Sequence, residues 1–494
     1  MSPRPDLLRY GATLPVRSVD PLCDLWNEPS SLVFSRPFAV DAHGVLRPDV
    51  VAEHGADGLR HWFRPRTDVV WHDGEPLTVA DLALSLQLVT DERHRGAVKL
   101  HIDGVRRVTV EGDVVVLELE RPRPGLLHSL AKTCVVPAHR FTTEELAGGA
   151  LDREPVGTGP YRLVERTAEG CRFTRHDDFH GGRPAIAEID MVQVAQDVDR
   201  AAALVTGRLD LAQIKAQHAE DVAAVPGLTV HPVRTRVWRA LTFSLTHPLL
   251  SDPAVRRGIS ELVDREEVVA RALGGYGRPQ YYPTPPSSWA SPPNPPPTGA
   301  EVGLATLRGA GLSRAEDGTW SRDGHRLALT LAYLETETFR AVASEVVAEQ
   351  LARHGIPVSL TPITWEQYHA MDSTGLRGAG YDGIVVGWSG GVDPYENLAV
   401  RYSSTGAYNR DGYADAEVDA LLEQAVSAPD RQTATRLYHQ VLALTHRDSI
   451  MAPLANPQYL FAGASDLTGF EDVEVDSFYE FPQYLHHVRR TAAP

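Results

Sequence analysis

A strand, a helix and a second strand follow one another in the third quarter of the chain. Residues 326–334 carry large apolar side chains at every second position, which is the period of a strand. Residues 338–354 show the three-to-four-residue apolar spacing of a helix, and Gly355 stands where a helix end favours positive φ. Residues 357–363 predict another strand. Because short-jointed strand–helix–strand units cross over between parallel strands, this region predicts a parallel α/β sheet.

A second unit of the same kind, together with the chain length, predicts two α/β domains. Residues 187–196 and 209–214 have strand patterns on either side of a predicted helix at 199–207. At 494 residues the chain is too long for one ordinary core. Between the two units, residues 279–297 are rich in proline, which lacks the N–H that a helix or a ladder needs. We expect this segment to be an irregular surface excursion or an extended linker.

Charge and hydropathy exclude two classes of partner. The 65 acidic residues against 48 basic ones give a net charge of −17, and no basic stripe is present to hold nucleic acid or an anionic membrane. No stretch approaches the roughly 20 apolar residues that span a bilayer, so we expect no membrane insertion. Three widely spaced cysteines, Cys23, Cys134 and Cys171, favour buried apolar positions over a disulfide framework or a zinc site.

The first residues contain no leader-like apolar segment of about 7–15 residues and no small-residue cleavage site. The sequence as written therefore predicts a cytoplasmic protein. If a leader was removed, we expect an extracytoplasmic or periplasmic one.

Several short motifs occur in a recognisable order. Residues 71–78 (WHDGEPLT), followed by Asp81, resemble the FHDG-x-PLTAxDV signature of the family 5 extracellular solute-binding proteins, the dipeptide, oligopeptide and nickel receptors of ABC importers. The resemblance continues in GTGPY at 157–161, HGGRP at 180–184, TGRLD at 206–210, SDPAVRR at 251–257, DR at 264–265, YD at 381–382 and GYAD at 412–415. In the order of the family, these motifs are spread over nearly all of residues 20–460.

Most of these motif residues are expected to shape the backbone. Thr78 is placed to be the N-cap of a helix over residues 79–88, and Asp264 precedes another predicted helix. Gly157 and Gly159 are expected to allow a sharp chain reversal.

The resemblance implies a two-lobed α/β fold of the periplasmic-binding-protein kind (type II, cluster C) with an extra inserted domain. Carried onto this chain, the first lobe takes residues 1–36, 153–240 and 462–494, the inserted domain 37–152 and the second lobe 241–461. The resemblance also implies a small-molecule ligand in the interlobe cleft, hinge closure and, for an exported protein, an ABC permease as partner. We expect a monomer.

Residues 387–391 (GWSGG) match the G-x-S-x-G nucleophile elbow, so a hydrolase is an alternative. Acidic residues and histidines even follow Ser389 in the expected order, namely Asp411, Asp419, His439 and His446. The elbow needs a helix directly after its serine, whereas the helix signal here, Asp393 as N-cap and Pro394 at the first helical position, comes four residues later. The oxyanion geometry would then be lost, so we disfavour catalysis and assign no catalytic residue.

The resemblance gives the same loop another interpretation, because in the family it lines the cleft. Trp388 would supply a flat apolar wall, and a carboxylate could pair with a ligand ammonium. Peptide-binding members place an acid three positions after this tryptophan, where this chain has Gly391. That departure favours the loop of the metal-chelate binders over free-amine recognition. Asp393 is open to two interpretations, a ligand contact and a plain helix cap.

By their position in the family, the ligand-binding candidates besides Trp388 and Asp393 are Asp24, Trp26, Asn27, Arg93, Arg236 and Trp238. The alternative for the N-terminal three is an ordinary loop with one packed aromatic ring. Arg236 precedes the predicted crossing into the second lobe, where its guanidinium could meet a ligand carboxylate bidentately or pair with an acidic residue of the protein.

A metal site is the remaining possibility that the sequence raises. His176 and His180 have the H-x₃-H spacing of two helical zinc ligands, but they occupy a turn where no helix is expected. We therefore expect a solvated turn, and the same holds for His486 and His487 near the C-terminus. No phosphate-binding loop motif is present, and we expect no cofactor.

The sequence thus predicts a solute-binding protein that captures a small polar ligand, either a peptide-like molecule or a metal chelate, for an ABC importer. The alternative is a cytoplasmic member of the same fold, repurposed in a biosynthetic pathway as an enzyme or as a ligand-sequestering protein.

Overall fold

The structure is a computed structural model that describes residues 6–16, 18–22, 27–41, 45–91, 102, 104–123, 125–391, 393–409 and 412–491. The chain divides into two compact units. The first comprises Met1–Arg234 and Tyr459–Pro494, and the second comprises Thr235–Gln458.

The strands are short and numerous. The first twelve are β1 (Leu7–Ala12), β2 (Phe38–Val40), β3 (Leu46–Pro48), β4 (Val51–Asp57), β5 (Arg60–Pro65), β6 (Val105–Glu111), β7 (Val114–Leu119), β8 (Tyr161–Arg166), β9 (Gly170–Arg175), β10 (Glu188–Gln193), β11 (Leu211–Ile214) and β12 (Leu228–Thr235). The others are β13 (Trp238–Phe243), β14 (Gly277–Pro279), β15 (Ser313–Arg314), β16 (Trp320–Arg322), β17 (His325–Arg326), β18 (Leu329–Leu334), β19 (Val358–Ile363), β20 (Gly383–Trp388), β21 (Met451–Pro457), β22 (Tyr459–Ala464), β23 (Leu467–Thr468), β24 (Glu474–Val475) and β25 (Arg489–Arg490).

Helices connect these strands in both units. They are α1 (Ser30–Val33), α2 (Val79–Thr90), α3 (Leu126–Leu130), α4 (Thr143–Ala147), α5 (Ala150–Arg153), α6 (Asp197–Val205), α7 (Ala219–Ala223), α8 (Pro253–Leu262), α9 (Arg265–Ala272), α10 (Ala300–Gly309), α11 (Thr338–Arg353), α12 (Trp365–Gly378), α13 (Pro394–Tyr402), α14 (Ala416–Val426) and α15 (Arg431–Asp448). Two segments, Ala216–His218 and Phe478–His487, are 3-10 helices.

An eight-stranded sheet in the order β24-β12-β22-β11-β1-β10-β9-β8 forms the centre of the first unit, and a four-stranded sheet, β4-β5-β7-β6, lies in the same unit. Strands β10 and β11 both run parallel to β1, which lies between them. Helix α6 connects β10 to β11, so the predicted strand–helix–strand unit is confirmed. In the sheet, β1 lies between the two strands of this unit.

A six-stranded sheet in the order β14-β21-β13-β20-β18-β19 forms the centre of the second unit. Strand β18 is parallel to both β19 and β20, and α11 crosses over from β18 to β19, which confirms the second predicted unit. Gly355 follows α11 with a φ of 84°, as its position at the helix end predicted. Residues 280–299 contain neither helix nor strand, so the proline-rich segment is an irregular connection.

The predicted helix cap at Thr78 and the two motif glycines at 157 and 159 can be compared with the structure. Thr78 caps α2 together with Asp81, whose carboxylate accepts from the Thr78 N–H at 2.7 Å, so the predicted N-cap is confirmed. The two glycines at 157 and 159 are needed for close approach: a Cβ at Gly157 would lie 1.8 Å from the Val33 carbonyl oxygen. The motif glycines therefore let two backbone segments meet, since a side chain at either position would separate them.

The prediction of a solvated turn at the first histidine pair is wrong. His176 is buried and its Nδ1 lies 3.2 Å from the Gly159 carbonyl oxygen. The buried ring of His180 makes a 2.7 Å hydrogen bond through Nε2 to Asp49 Oδ1. The partner of His180 lies 131 positions away in the sequence, which no local pattern reveals.

Of the C-terminal histidine pair, His487 is exposed, as expected, whereas His486 departs from the prediction. His486 lies in the final 3-10 helix, 5.4 Å from the Phe179 ring, and burial lowers its pKa to about 4. Among the described residues, no group of three His, Cys, Asp or Glu side chains could hold a metal ion. Cys134 and Cys171 are buried free thiols, as expected, whereas Cys23 lies outside the described residues.

In the described ranges, no helix is both long enough and apolar enough to cross a bilayer. The domain boundaries that the sequence predicted within the first unit, including the inserted domain at 37–152, stay a prediction.

Candidate functional site

Two tryptophans form a cross-strand pair at the end of two inner strands of the second unit's sheet. Trp238, the first residue of β13, lies directly opposite Trp388, the last residue of β20. Their ring centroids are 4.6 Å apart at an interplanar angle of 35°. Because β20 ends there, the pair lies at the carboxyl edge of the parallel strands β18 and β20, the edge at which open α/β sheets bind ligands.

Arg401 lies against this tryptophan pair. Its guanidinium carbon is 4.6 Å from the Trp388 ring centroid, 5.1 Å from that of Trp238 and 5.9 Å from that of Tyr408. A guanidinium over aromatic faces is attracted by their quadrupoles, and more strongly when water is excluded. The three rings and the cation therefore form one packed cluster, which we call the Arg401 cluster.

Few hydrogen bonds hold this guanidinium. Arg401 is only 4% exposed, and its Nη1 donates to the Asn397 carbonyl oxygen at 2.6 Å. Its buried Nε has no partner among the described residues, and no carboxylate of those residues forms an ion pair with it. Burial lowers its pKa to about 9, so the group still carries its charge at neutral pH.

A cavity of about 70 Å³ opens beside the Arg401 cluster. Its walls come from β13, β20, β21, α12, α13 and the segment that follows α13. The lining residues are Thr242, Phe243, Leu245, Tyr368, Met371, Leu376, Ile384, Val386, Trp388, Arg401, Tyr408, Asn409, Tyr413, Ile450 and Met451. The lining is apolar and aromatic with few polar groups, which is the character of ligand sites.

Asp393 has a structural role in the loop that follows Trp388. Its Oδ1 accepts from the Tyr395 N–H at 2.9 Å, and Pro394 occupies the first helical position of α13. Asn397 ties the loop to this helix by donating from Nδ2 to the Gly391 carbonyl oxygen at 2.8 Å. The helix-cap interpretation of Asp393 is thereby supported by the observed bond.

The same geometry bears on the hydrolase alternative. Helix α13 starts at Pro394, five positions after Ser389, as the sequence predicted, so the strand–serine–helix turn of a nucleophile elbow is not formed. Two of the residues downstream have other contacts. Asp419 accepts from the Ser404 N–H at 2.9 Å, and His446 lies 3.9 Å from Glu261. Asp411 lies outside the described residues.

Peptide receptors of the family carry an acidic residue where this chain has Gly391. Here the carboxylate of Glu396 lies next to this glycine. A Cβ built on Gly391 would lie 1.8 Å from Glu396 Oε2. The half-buried Glu396 carboxylate therefore occupies the space beside the loop that a side chain at position 391 would need.

Two of the other predicted residues, Asn27 and Arg236, have contacts of their own. Asn27 belongs to the first unit, where its Oδ1 accepts from the Ser30 N–H at 3.1 Å at the start of α1. Arg236 is buried in the second unit, and its carbonyl oxygen lies 3.1 Å from where a Cβ on Gly390 would be. Asp24, Trp26 and Arg93 lie outside the described residues.

Arg401 is the residue that sequence reasoning missed, although a signal for it was present. The buried side of α13 carries residues with the i, i+3, i+4, i+7, i+8 spacing of a single helix face. They are Pro394, Asn397, Leu398, Arg401 and Tyr402, with Ala399 also buried beside them. An arginine in the middle of such a face is unusual, because charged groups are rarely buried without a partner.

Comparison with known proteins now places the chain. A family model described as bacterial extracellular solute-binding proteins, family 5 Middle, matches residues 46–409. The chain belongs to this family. The predicted family is thereby confirmed on a span of well over half the sequence.

Relatives of this solute-binding protein align over most of their length. Protein XP55 of Streptomyces lividans is 28% identical over 456 residues, which are 90% of this chain and 81% of the relative. The oligopeptide-binding protein AppA of Bacillus subtilis is 24% identical over 429 residues, 84% of this chain and 78% of the relative.

Solved structures confirm the predicted fold class. AppA from Bacillus subtilis in complex with a nonapeptide superposes with a TM-score of 0.75 at 20% identity, covering 98% of this chain and 99% of that one. NikA from Brucella suis in complex with Fe(III)-EDTA gives a TM-score of 0.84 at 22% identity, covering 98% and 100%. The fold of this family member is therefore the two-lobed α/β fold of periplasmic binding proteins.

Proposed function

We propose that this family member captures a small polar ligand at the Trp388 edge of its second unit and delivers it to an ABC permease. The observation that carries the proposal is the aromatic cavity at the carboxyl edge of β20, in a chain that belongs to a solute-binding family. An indole wall with few polar groups orients a ligand without reacting with it.

The relatives support the size and polarity of the ligand. AppA is named as an oligopeptide-binding protein, GsiB of Salmonella as a glutathione-binding protein, and NikA is described with Fe(III)-EDTA. All three ligands are polar and are either peptides or metal chelates, which are the two classes that the sequence predicted. The family's description as extracellular supports a site of action outside the cytoplasm.

Native mass spectrometry of the purified protein tests this proposal directly. We expect a co-purified small molecule, whose affinity is then measured by titration calorimetry on ligand-depleted protein. Trp388→Ala should weaken binding about tenfold or more, because the ligand loses its aromatic wall. Trp62→Ala, on β5 of the first unit, is the matched control and should bind normally.

Two results would contradict the proposal. If Trp388→Ala binds the ligand with full affinity, the ligand does not bind at Trp388. Turnover of the bound molecule that disappears in Ser389→Ala would make the protein an enzyme.

A further inference from the structure

The charge of Arg401 is not balanced by the part of the protein that the structure describes. The ionisable neighbours that act on its pKa are tyrosines, Tyr402, Tyr408 and Tyr368, and no carboxylate is among them. On its own helix the acids are Asp393 and Glu396, which precede Arg401 by eight and five positions and so lie about 12 and 7.5 Å away along the axis at 1.5 Å per residue. Asp448, which accepts from the cavity residue Tyr413 at 2.6 Å, is already paired with Arg447 at 2.6 Å.

A buried cation without a counter-charge costs free energy, and the usual remedy is an anion with matching hydrogen bonds. An arginine has five N–H donors, and a carboxylate takes two of them in parallel. Arg401 uses Nη1 for the Asn397 carbonyl oxygen and leaves its Nε buried without a partner in the described ranges. Arg401 is also one of the residues that line the cavity, so a group that enters the cavity approaches this side chain.

We propose that the ligand of this protein carries an anionic group, best a carboxylate, that binds Arg401 inside the cavity. Trp388 and Tyr408 would then pack on the apolar part of the ligand next to that group. The inference rests on the proposed function and specifies the chemical class of its ligand.

The size of the cavity supports this division of roles. Pockets that enclose a whole drug-sized ligand measure about 300–1,000 Å³. The cavity here is about 70 Å³, which suits one ionised group and its nearest carbons. The cavity is therefore an anion subsite, and the remainder of the ligand extends beyond it.

The other face of the same strands carries further positive charge. Arg239 follows Trp238 on β13, so its side chain points to the opposite face. It lies 5.8 Å from the Phe339 ring, and its Nε has no partner among the described residues. The nearby Arg340 is paired with Glu337 at 3.0 Å. Arg239 is therefore a second arginine with an unused donor, although Asp393 and Glu396 also lie in or next to the loop after Trp388.

The test uses two fractions of one small-molecule pool. The low-molecular-weight filtrate of a bacterial lysate is separated into an acidic and a non-acidic fraction on a strong anion exchanger at about pH 11. At this pH amines are largely neutral, so that zwitterionic carboxylates such as peptides are retained in the acidic fraction. Each fraction is incubated with the ligand-depleted, full-length protein, and adducts are detected by native mass spectrometry. We expect adducts from the acidic fraction only.

Three variants assign the adduct to Arg401. Arg401→Met should lose at least about 100-fold in affinity for the isolated acidic ligand, because the anion would lose its bidentate partner. Arg401→Lys keeps the charge without the planar fork, so it should retain more affinity than the methionine variant. Arg271→Met removes an exposed arginine on α9 and should bind normally. Circular dichroism confirms that each variant is folded.

The possible failures are distinguishable. Adducts from the non-acidic fraction would overturn the anion inference. Equal affinity of the wild type and of folded Arg401→Met for the acidic ligand would overturn it too. Both results would leave the solute-binding function intact. An absence of adducts from both fractions would overturn the proposed function, and this inference with it.

Discussion

Two regions of the second unit each bury an arginine, and the two arginines differ in how many hydrogen bonds they make. Arg265 donates to four backbone carbonyl oxygens at 2.7–3.1 Å and to the Ser260 hydroxyl at 3.1 Å. Among the described residues, Arg401 donates to one carbonyl oxygen only. Burial lowers the pKa of both, to about 10 and about 9 respectively. Burial alone therefore does not distinguish the two arginines, whereas the number of their hydrogen bonds does.

Arg256 and Arg200 follow the pattern of Arg265. Arg256 donates to the carbonyl oxygens of four residues around the end of α15 and the start of α8. Arg200, in the first unit, donates to three carbonyl oxygens. Arg256 and Arg265 belong to the SDPAVRR and DR motifs on which the family resemblance rests, while Arg401 belongs to no such motif. The shared motifs thus secure the scaffold, and the proposed ligand contact lies outside them.

Removing the saturated arginine should have the largest effect. Arg265→Met leaves four buried carbonyl oxygens without their donor, so we expect the free energy of unfolding to fall by about 3–5 kcal/mol. Urea unfolding followed by far-UV circular dichroism measures the loss, with exposed Arg271→Met as the control. A loss below about 1 kcal/mol would break the comparison, because Arg265 would then not be a structural clamp.

A buried acid in the first unit extends the comparison to pH. Glu28 is buried, and its Oε1 accepts from the N–H groups of Thr13 and Leu14 at 2.7 and 2.8 Å. Burial nevertheless raises its pKa to about 7, from an ordinary value of 4.5. Between these values the folded state holds a proton that the unfolded state releases. Stability should therefore fall as the pH rises from about 4.5 to 7, by on the order of 3 kcal/mol.

Glu28→Gln should remove that dependence, because an amide oxygen still accepts from both N–H groups and does not titrate. Urea midpoints at pH 5, 6, 7 and 8 for the wild type and the variant give the two slopes. Equal slopes would show that another group controls the pH response.

The smallest effect on stability is expected at Arg401. Arg401→Met loses its contacts with the aromatic rings but also removes a buried charge, so the two changes offset and stability should change by about 1 kcal/mol or less. The same urea experiment measures it in the absence of ligand. A loss as large as that of Arg265→Met would mean that Arg401 is structural, and the contrast between the two arginines would disappear.

Local pattern was enough for the scaffold. Helix α11, its terminal Gly355 and the cap at Thr78 were all predicted, because apolar spacing and capping depend on neighbours within a few residues. The loop at Asp393 was predicted for the same reason. Helix α13 begins at Pro394, directly after its cap Asp393. Ser389 is therefore not followed at once by a helix, as a nucleophile elbow would require.

Long-range contacts were not predictable from such patterns. Trp238 and Trp388 were both named as candidates, but their pairing depends on the register of two strands 150 positions apart. His180 was expected in solvent because its partner Asp49 lies 131 positions away. Arg401 was missed because its significance depends on which acids are absent around it, and that can be judged only when every packed neighbour is known.

The tryptophan pair also has an optical consequence. Two indoles with centroids 4.6 Å apart and planes inclined at 35° couple their electronic transitions, which produces a paired positive and negative signal in circular dichroism. Since the Arg401 cation lies over both rings, its neutralisation by any bound anion would shift their excited states. The protein thus contains its own chromophore for reporting occupancy, without a label and without knowledge of the ligand.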